Sequence, residues 1–188
     1  MEHTSAYRKK ELTRNIFEDS LVRLLKEKSF NDITIMDITR ESGLSRGTFY
    51  NYFGNTIELL ESLTDRMISL FYTEGHFNLE DPIFDTPEQA TEQLVSFMLK
   101  NREIINALLQ DETRYIFLNR WFQLLLERGE KKPERYYPKE VPPEYGELFQ
   151  VFWFNGMWAV YSKMLSDKQR STDDYTAFIN KMTQKLFS

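Results

Sequence analysis

The chain has 188 residues, 41% hydrophobic and 28% charged, a net charge of −5 and no cysteine. That length allows one or two compact domains, the balance is that of a globular protein, and the lack of cysteine excludes disulfides and thiolate metal sites. MEHTSAYRKK lacks the apolar stretch of a secretory leader. The longest apolar-rich run, Leu148–Tyr161, falls short of the roughly 20 residues that cross a bilayer, so no membrane contact is expected and the cytoplasm is the expected location.

Charge is unevenly spread. Residues 1–54 carry 9 Lys/Arg against 8 Asp/Glu, and the remainder carries 15 against 21. The acidity therefore belongs to the C-terminal part, while Arg8, Lys9, Lys10 and Arg14 cluster near the start and suit a phosphate contact.

Apolar residues recur at helical spacing and no strand-like alternation persists, so the fold class is all-α. A first helix is expected over about 7–28, with Ile16, Phe17, Leu21, Leu24 and Leu25 on one face. Thr34 reads as the N-cap of a second helix, with Asp37 completing a capping box and Ile33 and Ile38 at staple positions. Gly43 closes that helix in a left-handed conformation. The pattern repeats at once: Ser45 caps a third helix over 46–52, with Leu44 and Phe49 as its staple. Asn55 caps a fourth that runs to about Thr73.

A turn-rich loop over 75–85 follows, then helices over 87–100, 102–110, 112–128, 144–166 and 173–187. Residues 130–143 hold four of the six prolines and read as a loop. The helix over 112–128 is apolar around its whole circumference, which predicts burial on most sides.

Two short helices joined by a tight glycine-containing turn form a helix-turn-helix. In residues 34–53, TIMDITRESGLSRGTFYNYF, Phe49 and Phe53 point to the core and leave Arg46, Gly47, Thr48, Tyr50 and Asn51 outward. Arg46 suits a phosphate or guanine acceptors, and Thr48 suits a base edge. The hydroxyls of Tyr50 and Tyr52 suit phosphate oxygens. Gly47 costs about 1 kcal/mol relative to alanine inside a helix, so either it relaxes a crowded turn or something approaches the backbone there.

These residues resemble the DNA-binding domain of the TetR family. Thr34, Ile38, Gly43, Leu44, Ser45, Gly47, Thr48, Phe49, Tyr50, Tyr52 and Phe53 stand at the matching places of its motif, over roughly residues 7–70. Two positions depart from it: Thr39 replaces a small residue, and Thr56 replaces a lysine that would contact phosphate. The free N–H groups at the start of the fourth helix are expected to hold a phosphate without it. Lys100-Asn101-Arg102 with Ile105, Leu108 and Leu109 resembles small regulators that include the dihydroxyacetone-kinase operon activators.

The resemblance implies a three-helix DNA-binding domain over 1–54 and a helical ligand and dimerisation domain over 55–188, with a connecting helix over about 55–74. It implies a repressor that binds inverted-repeat double-stranded operator DNA as a homodimer. The DNA-binding set is then Thr34, Ser45, Arg46, Gly47, Thr48, Tyr50, Asn51, Tyr52 and Thr56. A cavity for a small apolar or aromatic effector falls to Phe97, Met98, Tyr115, Trp121, Phe122, Phe152 and Trp153, with Gln150 or Asn155 as its polar group. The dimer interface falls to Gly156, Tyr175, Phe178 and Met182. For each cavity aromatic plain core packing is the better reading, and for each interface residue it is nearly as good a reading.

Two other classes compete with this reading. An enzyme is not expected: His3 and His76 lie in a tail and a loop, and no phosphate loop, nucleophile elbow or metal-ligand spacing occurs. No cofactor or metal is expected either. A co-regulator or activator controlled by a protein partner, rather than by a small molecule, is the alternative.

Overall fold

The computed structural model describes residues 2–74, 87–131, 141–167 and 169–187, and all regular structure among them is helical. The expected loop over 75–85 and most of that over 130–143 lie outside the described residues. Contacts divide the chain into two compact units, residues 1–67 with 107–117, and residues 68–106 with 118–188.

The first unit opens with α1 (Glu2–Leu25), and a 3-10 turn (Phe30–Asp32) leads into α2 (Ile35–Ser42). Thr34 caps α2 through a complete capping box: its hydroxyl oxygen accepts the Asp37 N–H at 3.2 Å, and the Asp37 carboxylate accepts the Thr34 N–H at 2.9 Å. Gly43 ends α2 at φ 71°, a conformation that penalises any Cβ. Ser45 then caps α3 (Arg46–Tyr50), accepting the Thr48 N–H at 3.0 Å. α3 stops two residues before its expected end, because the Asn51 N–H closes onto Gly47 and Thr48 carbonyls while Phe53 turns into the core.

Apolar burial holds these short helices. Phe17, Leu21, Ile38 and Phe49 are fully buried, and the Phe17 and Phe49 rings meet edge to face at 5.4 Å. The first half of α4 (Thr56–Glu74) adds Leu59, Leu60, Leu63 and Met67. The compact unit thus extends past residue 54, because the amino half of α4 completes the core under α1. A buried polar clamp joins the same two helices: the Glu18 carboxylate accepts from Ser62 at 2.6 Å and faces Arg66 Nε at 3.1 Å. Burial holds the Glu18 carboxyl above its ordinary value despite those partners.

Residues 107–117 also pack here. They join the end of α6 (Arg102–Leu108) to the start of α7 (Asp111–Lys131). Gln110 donates to the Leu25 carbonyl at 2.6 Å, and Ser29 donates to Glu112 at 2.8 Å.

The second unit contains the rest of α4, α6 and α7, with α5 (Pro87–Lys100), α8 (Gly146–Ser166) and α9 (Thr172–Phe187). Aromatic rings fill it: Phe71 meets Phe97 at 5.4 Å and Trp121 at 4.6 Å, and Trp121 meets Trp158 at 5.0 Å. α8 starts two residues later than expected because Pro143–Tyr145 forms a 3-10 turn ahead of it. Ser171 and Asp174 form a reciprocal cap at the start of α9.

α7 is not buried on most sides. Thr113, Phe117 and Trp121, each four residues from the next, form its buried stripe, and Tyr115 points out at 75% exposure. Among the described residues no helix is long and apolar enough to cross a membrane.

Candidate nucleic-acid interface

α3 presents one face outward. Arg46, Gly47, Tyr50 and Asn51 are exposed, Thr48 is half-buried, and Phe49 and Phe53 face the core. Six of the nine expected DNA-binding residues, Ser45, Arg46, Gly47, Thr48, Tyr50 and Asn51, therefore lie together on α3 and its two caps. The Ser45 and Thr48 hydroxyls sit 2.9 Å apart, so the cap also holds the Thr48 side chain. Arg46 Nη2 donates to the Tyr50 hydroxyl at 3.3 Å.

Gly47 does not relieve crowding. A Cβ there would meet only the Ser45 hydroxyl oxygen, at 3.7 Å, which is ordinary contact. Nothing among the described residues fills the space that a side chain at Gly47 would take.

The other three expected residues sit apart. Thr34 is exposed, but its hydroxyl is turned to Asp37 at 2.7 Å. Tyr52 is half-buried, its ring tilted against Phe17 and Phe53 at 6.3 Å each, so it belongs as much to the core as to the surface. Thr56 is the half-buried first residue of α4.

Glu58 has a role that sequence reasoning did not assign. Its carboxylate accepts the Gly54 N–H at 2.7 Å, and its own N–H donates to the Asn55 side chain at 2.9 Å. A carboxylate therefore occupies the amino end of α4, where free N–H groups were expected to receive a phosphate. The signal was visible as a capping pair, Asn55 with Glu58 three residues on.

The surrounding charges are mostly paired. Asp37 binds Lys28 at 2.7 Å and Arg40 at 2.9 Å, and Arg23 pairs with Glu41. The hydrogen bond from Lys28, then those from Thr34, hold the Asp37 carboxyl far below the usual carboxylate range.

The seven residues assigned to an effector cavity differ in burial and surroundings. Phe97, Met98 and Trp121 are packed in the aromatic core of the second unit. Half-buried Phe122 lies against Phe154 at 5.3 Å, and half-buried Trp153 stacks on Phe149 at 6.3 Å. Tyr115 belongs to the first unit and faces solvent, and Phe152 is 71% exposed. Both are two residues along a helix from buried positions, about 200° around its axis, so they point away from the core. Of the two polar candidates, exposed Asn155 bonds its own helix at Val151, whereas Gln150 is buried with neither amide group partnered among the described residues.

The interface set divides too. Gly156 is exposed with no atom within 4 Å of a Cβ, and Phe178 and Met182 are exposed. Tyr175 is instead buried and donates to Asp167 at 2.6 Å, which locks the α8–α9 turn. That bond holds the Asp167 carboxyl down at about 2. Lys100, Asn101 and Arg102 have structural partners in Glu74, Phe97 and Leu165, so their pattern carries no functional argument.

Residues 19–63, from the middle of α1 to the middle of α4, match the family model described as bacterial regulatory proteins, tetR family. An uncharacterized HTH-type transcriptional regulator of Haemophilus influenzae is 30% identical over 107 residues, 56% of this chain. The chain matches only 57% of the length of that relative. The fold is similar to that of a TetR transcriptional regulator of Streptococcus agalactiae, with a TM-score of 0.69 at 18% identity over 96% of this chain and 98% of that one. It is also similar to NalD of Pseudomonas aeruginosa, the secondary repressor of the MexAB-OprM multidrug efflux pump (TM-score 0.64, 17% identity, 94% and 96% covered).

Proposed function

We propose that this chain, whose residues 19–63 match the model of the tetR family of bacterial regulatory proteins, is a cytoplasmic transcriptional repressor. It binds an inverted-repeat operator as a homodimer and releases it in response to a small molecule held by the second unit. The observation that carries the reading is the outward face of α3, where Gly47 has space for a side chain that the chain does not use.

Dimerisation is supported by the apolar outer faces of α8 and α9. Leu148, Val151 and Phe152 on α8, and Phe178 and Met182 on α9, are all exposed. A largely apolar groove of about 390 Å³ runs between the two helices, lined by Ala159, Val160, Tyr175 and Phe178 among others. Contiguous apolar surface of this kind marks an association site. Effector control is supported by Gln150, a buried amide with no partner among the described residues. A bound molecule would satisfy it.

Selection of duplexes from a randomised pool by the full chain, followed by light scattering of the complex, tests the reading. An enriched two-fold-symmetric site bound by two chains is expected. Gly156→Leu should leave each chain folded and weaken the dimer. No enriched sequence, or tight binding by a single chain, would overturn the proposal.

A further inference from the structure

We infer that Tyr50 is a positioning residue for Arg46, and that the pair acts as one unit to read a guanine in the major groove of each half-site. This rests on the DNA-binding reading above. Arg46 and Tyr50 stand one turn apart on α3, so their side chains lie one above the other on the exposed face. Arg46 Nη2 donates to the Tyr50 hydroxyl oxygen at 3.3 Å, and the guanidinium carbon lies 5.9 Å from the ring centroid. That distance is within range of a cation–π attraction. The Tyr50 ring is itself braced edge-on at 5.8 Å against Phe49, which is fully buried. A continuous chain of contacts thus runs from the core to the guanidinium.

Its neighbours make Arg46 distinctive. Arg23, Lys28 and Arg40 are each tied to a carboxylate. Among the described residues the contacts of Arg46 are with Tyr50 instead, so its charge is kept for an acceptor outside the chain. Holding the fork in place beforehand also removes rotamer freedom that docking would otherwise have to suppress.

The chemistry of the pair selects its partner. The Tyr50 oxygen accepts from Arg46 and so aims the guanidinium. The remaining guanidinium N–H groups offer donors only. In the major groove, guanine presents two acceptors, O6 and N7, whereas adenine pairs its N7 acceptor with an amino donor, cytosine presents an amino donor, and thymine a single acceptor beside a methyl. A phosphate would also accept these donors, but a phosphate contact gives no preference among bases.

The test uses the full chain, the site enriched from a randomised duplex pool, and duplexes with single base pairs changed within that site. Wild type should discriminate on the order of tenfold or more at one guanine per half-site. Arg46→Lys, which keeps the charge without the fork, should lose most of that discrimination and retain binding to unrelated duplex. Tyr50→Phe keeps the ring and removes the hydroxyl; it should reduce discrimination severalfold, and have no further effect when Arg46→Ala is already present. Circular dichroism confirms that each variant is folded. Guanine discrimination unmoved by Tyr50→Phe, or an equal loss with and without Arg46, overturns the inference. So does a uniform loss of affinity across all duplexes with a shallower salt dependence, which would mean a phosphate contact. A wild-type chain that enriches no sequence would instead overturn the DNA-binding reading itself.

Discussion

The two units are held together by different means. The first depends on small polar locks at helix ends: α2 has 8 residues and α3 has 5, lengths at which isolated helices do not persist in water. Thr34, Asp37, Gly43 and Ser45 set where these helices start and stop, and Ile38 and Phe49 anchor them. The second unit rests on α8, of 21 residues, and α9, of 16, and on large rings in its core. The contrast fits the two tasks of the proposed function. A reading head needs a few side chains held in register on a small rigid face. A unit that associates and binds a ligand needs apolar area, and α8 supplies it on both sides, Phe154 and Trp158 inward and Leu148 and Phe152 outward.

The sharpest way to break the comparison is a matched pair of phenylalanine truncations. Phe49→Ala should destabilise the first unit by about 3–5 kcal/mol and abolish DNA binding, because a fully buried ring leaves a cavity. Phe152→Ala, removing a ring that is already exposed, should leave single-chain stability nearly unchanged and weaken self-association. Urea denaturation and light scattering separate the two, and equal destabilisation would mean that Phe152 is a core residue.

A second test separates stability from recognition within α3. Gly47→Ala should raise thermal stability slightly, since alanine is favoured over glycine in a helix by about 0.5–1 kcal/mol. It should cost about 1–3 kcal/mol of operator affinity if DNA approaches that backbone. Unchanged affinity in a fluorescence-anisotropy titration would remove the argument for close approach.

In the second unit the corresponding substitution is Gln150→Leu. Removing a buried amide that has no partner should stabilise the unliganded chain by about 1–3 kcal/mol, read as a shifted denaturation midpoint. The variant should also lose its response to an effector. A destabilised variant would show that Gln150 already has a partner.

Acid probes the polar locks. The Asp37 carboxyl is depressed from its ordinary value of 3.8, so its contribution is fully present above that pH and is lost as pH falls. Glu18 has the opposite sign: burial raises its carboxyl above 4.5, so its penalty grows as pH rises past that value. Asp37→Asn should therefore flatten the acid side of the stability profile of the first unit, and Glu18→Gln should flatten its rise toward lower pH. Denaturation midpoints between about pH 3 and pH 6 give both slopes.

The smallest expected effect lies at the start of α4. Thr56→Lys alone should change the salt dependence of DNA binding little, because the Glu58 carboxylate stands beside it. Combined with Glu58→Gln, it should steepen the log-affinity against log-salt slope by about 0.9 per added contact, and by about twice that in a dimer. A full effect from Thr56→Lys alone would mean that Glu58 does not screen the site.

What the sequence by itself determined is the framework of the reading head. The caps at Thr34 and Ser45 and the left-handed turn at Gly43 are set by interactions that close within three or four residues, so local spacing suffices to read them. Only the tertiary structure decided which side of an all-round apolar helix faces inward. Tyr115 and Phe152 look like cavity residues by composition, yet their neighbours four residues apart, Phe117 with Trp121 and Gln150 with Phe154, are the ones buried. The placement of residues 107–117 in the first unit and the joining of Glu18 to Arg66 are likewise tertiary. Each depends on a partner more than forty residues away in sequence, and no helical period carries information over that distance.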